Sequence, residues 1–263
     1  MFPAFRDVAL DQLTIDSILG LRIDATARTL IKRYKRFLAD VTLADGSMVT
    51  AHCPNSGSMK GCAVPGSRVF LSRSTNPNRK LAHTWELAES DGFWAGINTG
   101  LPNRLVREAI EDGTVAELQG YGTIRPEVPY GEHSRIDLLL EGPTGRCFVE
   151  VKNVTLVEQG RALFPDAVTT RGQKHLNELM RVVREGDRGV IFFTVQRGDG
   201  HAVSPADMID PEYGRLLRLA LANGVEALAY RALVTTEEIH GCQSLYKAQK
   251  HYHGGKAGGK PKN

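Results

Sequence analysis

A β-hairpin that carries two acids constrains this chain more than any other feature of its sequence. The segment Gly142–Gly145 (Gly-Pro-Thr-Gly) separates two mainly apolar runs, and turns of this composition are typical of hairpins. With these four residues as the loop, Asp137 lies directly opposite Glu150, and facing residues have Cβ atoms about 4.5–5.5 Å apart. Lys152, two residues after Glu150, projects from the same face of its strand.

This acid–acid–lysine arrangement predicts a site that hydrolyses phosphodiesters. Two carboxylates at that separation do not ionise together comfortably without a cation. A hard divalent ion such as Mg²⁺ relieves the repulsion and prefers oxygen ligands. The neighbouring Lys152 ammonium can orient a water and steady a phosphate oxygen. The structural alternative is an ordinary solvated strand face, because Glu-x-Lys pairs such as Glu150 and Lys152 are common.

The hairpin resembles the nuclease superfamily whose motif is written PD-(D/E)xK, with Ile136 where the motif name has proline. Across about residues 31–234, longer runs are similar to the sugar fermentation stimulation protein A family. Those runs are Arg33–Asp40, Cys53–Met59, Gly96–Asn103, Glu150–Thr155 and Phe164–Thr169.

The resemblance implies a two-domain α/β (α+β) protein. Its first domain is an OB-like β-barrel, and its second is a restriction-endonuclease-like core with the element order αβββαβ. Magnesium or manganese is the implied cofactor, held by Asp137, Glu150 and the Val151 carbonyl oxygen, with Lys152 orienting the attacking water. Glu127, on the preceding strand, is a further candidate ligand. Members of the family are described as DNA-binding and are linked to maltose metabolism.

Hydrophobic patterning predicts the same two domains. Short strands and turns over residues 29–90 are typical of a small closed barrel that binds nucleic acid on one face. Residues 91–246 contain the nuclease-like domain, residues 1–28 form an extension of unassigned structure, and residues 247–263 form a disordered basic tail. The predicted elements of the second domain are Asn103–Glu111, Thr170–Arg184 and Pro211–Asn223 as helices, with Thr123–Val128, Arg135–Leu140, Arg146–Val154, Arg188–Val195 and Val225–Val234 as strands.

Charge and composition narrow the class of protein. The net charge is +4 over residues 1–90, −6 over residues 91–246 and +5 over the tail, which suits a protein that grips a polyanion with one module and acts on it with another. No apolar stretch approaches the about 20 residues that span a membrane. The N-terminus lacks the pattern of a secretory signal, and the four cysteines lack zinc-like spacing. We therefore expect a cytoplasmic protein with no membrane partner.

Two further groups of residues are candidates for nucleic-acid contact. Ile31–Leu43 is predicted as one strand, in which Arg33, Lys35 and Phe37 share one face and Tyr34 and Arg36 share the other. Basic and aromatic side chains bind phosphates and stack on bases. The second group, at the start of the Thr170 helix, is Gln173 and Lys174, whereas the lone His175 beside them is interpreted as structural. The small-residue loop that follows Cys53 is interpreted as a tight turn.

Three functions fit these patterns. The first is a Mg²⁺-dependent nuclease acting on nucleic acid, most simply DNA. The second is a DNA-binding transcriptional regulator that keeps a nuclease-like fold without cutting. The third is a retaining glycosidase that uses Asp137 and Glu150, which the low aromatic content of 7% and the neighbouring lysine disfavour. The sequence leaves open whether the chain forms a homodimer.

Overall fold

The computed structural model describes residues 8–9, 11–12, 28–131, 134–234 and 239–240. The predicted basic tail and most of the predicted N-terminal extension lie outside these residues. Within the extension, two short strands, β1 (Val8–Ala9) and β2 (Asp11–Gln12), each join a sheet of the second domain.

The first domain is a closed five-stranded barrel, as predicted. Neighbouring strands pair in the order β5-β4-β3-β6-β7, and a bridge between His52 and Thr84 closes the circle from β5 to β7. A sixth strand, β8, pairs with the outer side of β7, so this sheet extends past the predicted domain boundary. The strands are β3 (Arg28–Tyr34), β4 (Leu38–Thr42), β5 (Met48–His52), β6 (Arg68–Arg73), β7 (His83–Ser90) and β8 (Phe93–Gly96).

The prediction of one strand over Ile31–Leu43 was wrong. Tyr34 pairs with Leu38, and the chain reverses between them in a three-residue turn. Lys35 and Arg36 take the left-handed conformation with φ of +48° and +62°. Strand alternation therefore does not apply to residues 35–37, which are exposed at the hairpin tip. Non-glycine residues rarely adopt this conformation. Because residues 35–37 contain no Gly or Asn, the sequence carried no signal for a turn here.

The second domain has the predicted αβββαβ order around a six-stranded sheet, β2-β16-β14-β11-β10-β9. Strand β11 runs parallel to β14, and β14 runs parallel to β16. A smaller sheet, β1-β15-β13-β12, was not predicted, because its strands are only two to four residues long. The elements are α1 (Pro102–Glu111), β9 (Thr123–Tyr130), β10 (Ser134–Gly142), β11 (Gly145–Val154), β12 (Leu156–Glu158), β13 (Arg161–Phe164), α2 (Thr170–Arg184), β14 (Arg188–Val195), β15 (Ala202–Pro205), α3 (Pro211–Ala222), β16 (Glu226–Arg231), β17 (Leu233–Val234) and β18 (Ile239–His240).

The β10–β11 hairpin has the predicted register with a shorter turn. Paired residues run from Leu138 and Val149 to Gly142 and Gly145, so the turn itself has two residues rather than four. Asp137 and Glu150 lie one position beyond the Leu138–Val149 pair, on the side away from the turn.

Helices cover both faces of the large sheet. Helix α1 packs on one face, and α2 and α3 pack on the other. Phe70 and Leu87 of the barrel belong to the apolar cluster on the α1 side, so the two domains share part of one core. The barrel also has its own core, which includes Leu30, Val41 and Trp85. None of the helices in the described ranges is long and apolar enough to cross a bilayer.

Candidate metal and phosphodiester site

Strand alternation on β11 separates its apolar residues from its reactive ones. Val149 and Val151 belong to the cluster beneath α1, whereas Glu150 and Lys152 contact His175 of helix α2. Successive side chains of a strand point to opposite faces of the sheet. The same alternation that buries the two valines therefore presents the glutamate and the lysine together to α2.

Glu150 is the most buried member of the site, with a relative exposure of 2%. Its Oε1 atom accepts a hydrogen bond from Lys152 Nζ at 2.6 Å and is in close contact with His175 Nδ1. Its Oε2 atom is also buried and has no hydrogen-bond partner among the described residues. One oxygen of this carboxylate is thus fixed by protein groups, and the other is left to bind a ligand.

His175 is 4% exposed and connects the acid to the start of α2. Arg171 Nε donates to His175 Nε2 at 3.4 Å, so we assign the proton of the neutral ring to Nδ1, which then donates to Glu150. The arrangement is a line of contacts from Arg171 through His175 to the Glu150 carboxylate. It holds that carboxylate in one orientation.

Asp137 lies beside Glu150 and is bound by two donors. Val151 N–H donates to its Oδ2 at 2.7 Å, and Asn103 Nδ2 donates to its Oδ1 at 2.8 Å. Burial, followed by the negative charge of Glu150, nevertheless raises the pKa of Asp137 to about 6. The pKa of Glu150 shifts the other way: burial favours its neutral form, but Lys152 and His175 outweigh burial and lower it.

Glu127, the fourth predicted ligand, lies at the edge of this group. Its Oε1 atom is 3.5 Å from Asn103 Nδ2, the same amide nitrogen that donates to Asp137. Glu127 is exposed and has a left-handed φ of +53°, and Arg135 donates to its main-chain oxygen at 3.2 Å. Within the described ranges, no three His, Cys, Asp or Glu residues are grouped as a metal-binding cluster.

The chemistry of these donors nevertheless fits a hard divalent cation. A buried carboxylate oxygen without a partner is costly, and a carboxyl whose pKa is raised by a neighbouring carboxylate gains from a positive charge between them. Both features are present, in Glu150 Oε2 and in Asp137. Main-chain carbonyl oxygens, such as that of Val151, and water are common additional ligands of such ions.

From the sequence, His175 was interpreted as structural, and its neighbours Gln173 and Lys174 were favoured as nucleic-acid contacts. Gln173 donates to both carboxylate oxygens of Asp210 at 2.9 and 3.1 Å, which ties α2 to α3, and Lys174 forms an i,i+4 ion pair with Glu178 at 3.7 Å. His175 is the residue of this run that enters the acid site. The signal was its position beside Leu176 on the apolar face of α2, which packs against the sheet.

The matches to family models cover most of the described chain. Residues 31–97 match a model described as the SfsA N-terminal OB domain. Residues 100–238 match one described as the sugar fermentation stimulation protein RE domain. The chain belongs to the sugar fermentation stimulation protein family.

Curated relatives in this family are very similar. The sugar fermentation stimulation protein homolog of Geobacter metallireducens is 82% identical over 212 residues, which cover 80% of this chain and 91% of the relative. The homolog of Pelobacter propionicus is 81% identical over 213 residues, covering 81% and 93%. The solved structure of Pyrococcus furiosus SfsA in complex with Ca²⁺ is 27% identical, with a TM-score of 0.78, and the match covers 88% of this chain and 96% of that one.

In this member of the family, the acid site opens into a cleft of about 500 Å³ that both domains line. Asp137, Glu150 and Lys152 lie on the side of the second domain. The barrel contributes Arg36 from the hairpin tip and the loop of residues 55–57. The candidate site is therefore shared between the two domains.

The four predicted binding residues of the barrel have different surroundings. Arg33 donates to the main-chain oxygens of Asn55 and Gly57 at 2.7 and 3.0 Å, so it braces the loop beside the cleft. The Tyr34 hydroxyl donates to Asp40 at 3.1 Å. Lys35 and Arg36 are both exposed at the hairpin tip, and Arg36 lines the cleft.

Proposed function

We propose that this protein is a nuclease that hydrolyses DNA phosphodiester bonds with the help of a divalent cation, Mg²⁺ or Mn²⁺. The observation that carries the proposal is the buried Oε2 atom of Glu150, which lies beside Asp137 and has no hydrogen-bond partner in the described part of the chain. A glycosidase is disfavoured because Lys152 donates a hydrogen bond to Glu150, one of the two carboxylates that such an enzyme would use.

The residues that would hold the cation are Asp137, Glu150 and the main-chain oxygen of Val151, with Glu127 as a further candidate. The Pyrococcus furiosus relative was solved with Ca²⁺, and Ca²⁺ and Mg²⁺ both take oxygen ligands. A cation bound there supplies Lewis-acid polarisation of a phosphoryl oxygen and a more acidic water.

The chain's own side chains would position the other reactants. The Lys152 ammonium, 11% exposed and 2.6 Å from Glu150, is placed to orient a water and to stabilise negative charge that develops on a phosphate oxygen. His175 keeps Glu150 Oε1 occupied. Glu150 Oε2 is then the oxygen that remains for a ligand.

The decisive test is degradation of labelled single-stranded and double-stranded DNA with Mg²⁺ or Mn²⁺. We expect metal-dependent cutting that EDTA and Glu150→Gln both abolish. Glu111→Gln is the matched control, because Glu111 is an exposed glutamate that pairs with Arg107 on α1. Equal cutting by wild type and Glu150→Gln would refute the assignment.

The alternative is a DNA-binding regulator that does not cut. The exposed basic hairpin tip and the lack of a three-residue metal cluster in the described ranges favour it. Binding that is independent of metal, with no cutting in the same assay, would establish this alternative. The link to sugar metabolism comes to this chain through the name of its family, and the link to maltose is what the family resemblance implies. Growth of a deletion strain on maltose would test it.

We also propose a cytoplasmic location. Cys53, Cys62 and Cys147 are buried free thiols, as suits a reducing compartment. Fractionation of cells that express a tagged chain would test this location.

A further inference from the structure

The two sides of the cleft are joined to each other. Ser58 Oγ donates to the Asp166 main-chain oxygen at 2.6 Å, and Met59 N–H donates to Asp166 Oδ2 at 2.8 Å. A Cβ atom added at Gly57 would lie only 2.9 Å from the same carboxylate. The barrel loop and the loop before α2 therefore meet at a bridge beside the cleft, which we call the Ser58–Asp166 bridge.

The barrel side of this bridge is held rigidly. Arg33 donates to three carbonyl oxygens of the loop, including that of Asn55 at 2.7 Å. The Asn55 side chain is buried, accepts from Gly57 N–H at 2.8 Å and donates to the Ile97 oxygen at 3.0 Å. Widening the cleft on this side would break several of these bonds, so its width is largely fixed.

The space left between the walls is small for a duplex. A cleft of about 500 Å³ is in the range of pockets that enclose one drug-sized molecule, so it has room for a single nucleotide unit rather than for a base-paired duplex. The Glu150 carboxylate at the base of the cleft is almost fully buried. A scissile phosphate must descend into the cleft to reach it.

Two arginines of the cleft and an exposed aromatic ring next to one of them in the chain suit a single strand. Arg36 from the barrel and Arg171 from α2 line the cleft and can bind phosphates of a strand that enters it. Phe37, next to Arg36 in the chain, is 49% exposed. Proteins that bind single strands combine a basic groove with exposed aromatic rings on which unpaired bases stack.

We propose that the cleft admits one nucleic-acid strand and excludes a continuous duplex, with Arg36 binding a phosphate of that strand. This inference rests on the proposed function and names its substrate class. The Ser58–Asp166 bridge and the loop held by Arg33 exclude a duplex, and side chains of both domains bind the single strand.

Binding in EDTA tests the proposal without requiring cutting. A labelled 12-nucleotide single strand and the same sequence closed as a hairpin duplex would be titrated with the full chain by fluorescence anisotropy. We expect the single strand to bind at least about tenfold more tightly, as the loss of one stacked base would give. Equal or tighter binding of the duplex would overturn the proposal.

The binding result and the cutting result can be told apart, because binding is measured without metal. Single-strand selectivity without metal-dependent cutting would support the cleft proposal and refute the nuclease. Metal-dependent cutting with equal affinity for duplex would do the reverse.

Matched variants test the two residues on which the proposal depends. Arg36→Ala should weaken single-strand binding by about three- to tenfold and lower the slope of log K against log salt by about 0.7. The control is Arg107→Ala, at a surface arginine of α1 that pairs with Glu111 and lies outside the cleft lining, and it should change the affinity less than twofold. Identical effects of the two changes would overturn the role of Arg36.

Ser58→Ala should lower the ratio of single-strand affinity to duplex affinity, because it removes the Ser58 hydrogen bond of the bridge. The control is Ser47→Ala, at an exposed serine in the turn between β4 and β5, outside both the bridge and the cleft lining. An unchanged preference in Ser58→Ala would contradict the role of the bridge.

Discussion

At the scale of single residues, the site depends on which face of a helix a side chain occupies. Gln173, Lys174 and His175 are consecutive and polar, and residue type alone favours the first two as ligands of a phosphate. Only His175 lies on the face of α2 that packs on the sheet, where it reaches Glu150. Its role could be predicted from the helical period but not from its chemistry.

We expect His175→Ala to weaken divalent-cation binding by about tenfold or more, the usual cost of losing a group that orients a ligand. The physical reason is that Glu150 Oε1 would lose one of its two partners and the carboxylate could rotate. Isothermal titration with Ca²⁺ or Mn²⁺ measures the affinity directly. Lys174→Ala, on the exposed side of the same helix, is the control, and an equal loss in both variants would argue against this role.

The raised pKa of Asp137 predicts a dependence of stability on pH in the absence of metal. Because its folded pKa of about 6 exceeds the unfolded value of about 3.9, the folded state binds the proton more tightly between those values. The free energy of unfolding therefore falls as pH rises through that window, by at most about 3 kcal/mol.

Asp137→Asn removes this titration. In EDTA at pH 7.5, we expect the variant to be more stable than wild type, with the difference closing near pH 4. Urea unfolding at both pH values measures it. A variant that is less stable at pH 7.5 would contradict the electrostatic account of this site.

At the scale of elements, the sequence predicted best where several signals agree. The bounds of α2 and β14 match the prediction, because a Thr169 cap, an apolar helical face and a continuous apolar strand mark them. The β3–β4 turn was missed because Lys35 and Arg36 are not typical of a left-handed turn. The contacts of β12, β13 and β15 come from tertiary pairing that no local pattern encodes.

The cap of α2 carries a prediction of its own. Thr169 accepts a hydrogen bond from Gly172 N–H at 3.0 Å, so Thr169→Ala should lower the free energy of unfolding by about 1 kcal/mol. Thr169→Ser keeps the hydroxyl and should cost much less. Urea denaturation of both variants separates the loss of the cap from the loss of the methyl group.

At the scale of the whole molecule, the barrel and the α/β domain are joined by buried contacts. Arg197 is 2% exposed and donates to Ser90 Oγ and to Asp91 Oδ2, both at 2.8 Å. Phe70 and Leu87 extend the apolar cluster of α1 into the barrel. The sequence indicated two domains by composition. The buried contacts between them could not be predicted, because the contacting residues are far apart in the chain.

We therefore expect one cooperative unfolding transition. Trp85 lies in the barrel core, whereas Trp94 on β8 packs against the apolar cluster of α1, so the variant Trp94→Phe leaves one tryptophan that reports on the barrel. The helices of the described ranges lie in the second domain. Tryptophan fluorescence and circular dichroism at helical wavelengths consequently report different domains, and their urea midpoints should coincide. Two separate midpoints would show that the domains unfold independently.

The shared apolar cluster limits which barrel can be joined to the α/β domain of this chain. A barrel exchanged between distant relatives would bring its own residues to the positions of Phe70 and Leu87, where they must fit an α1 helix that was selected with other partners. Chimaeras joined at the boundary between the two domains should then be poorly soluble unless the facing residues of α1 are transplanted with the barrel. The two domains of this chain are therefore expected to be exchangeable only as a pair.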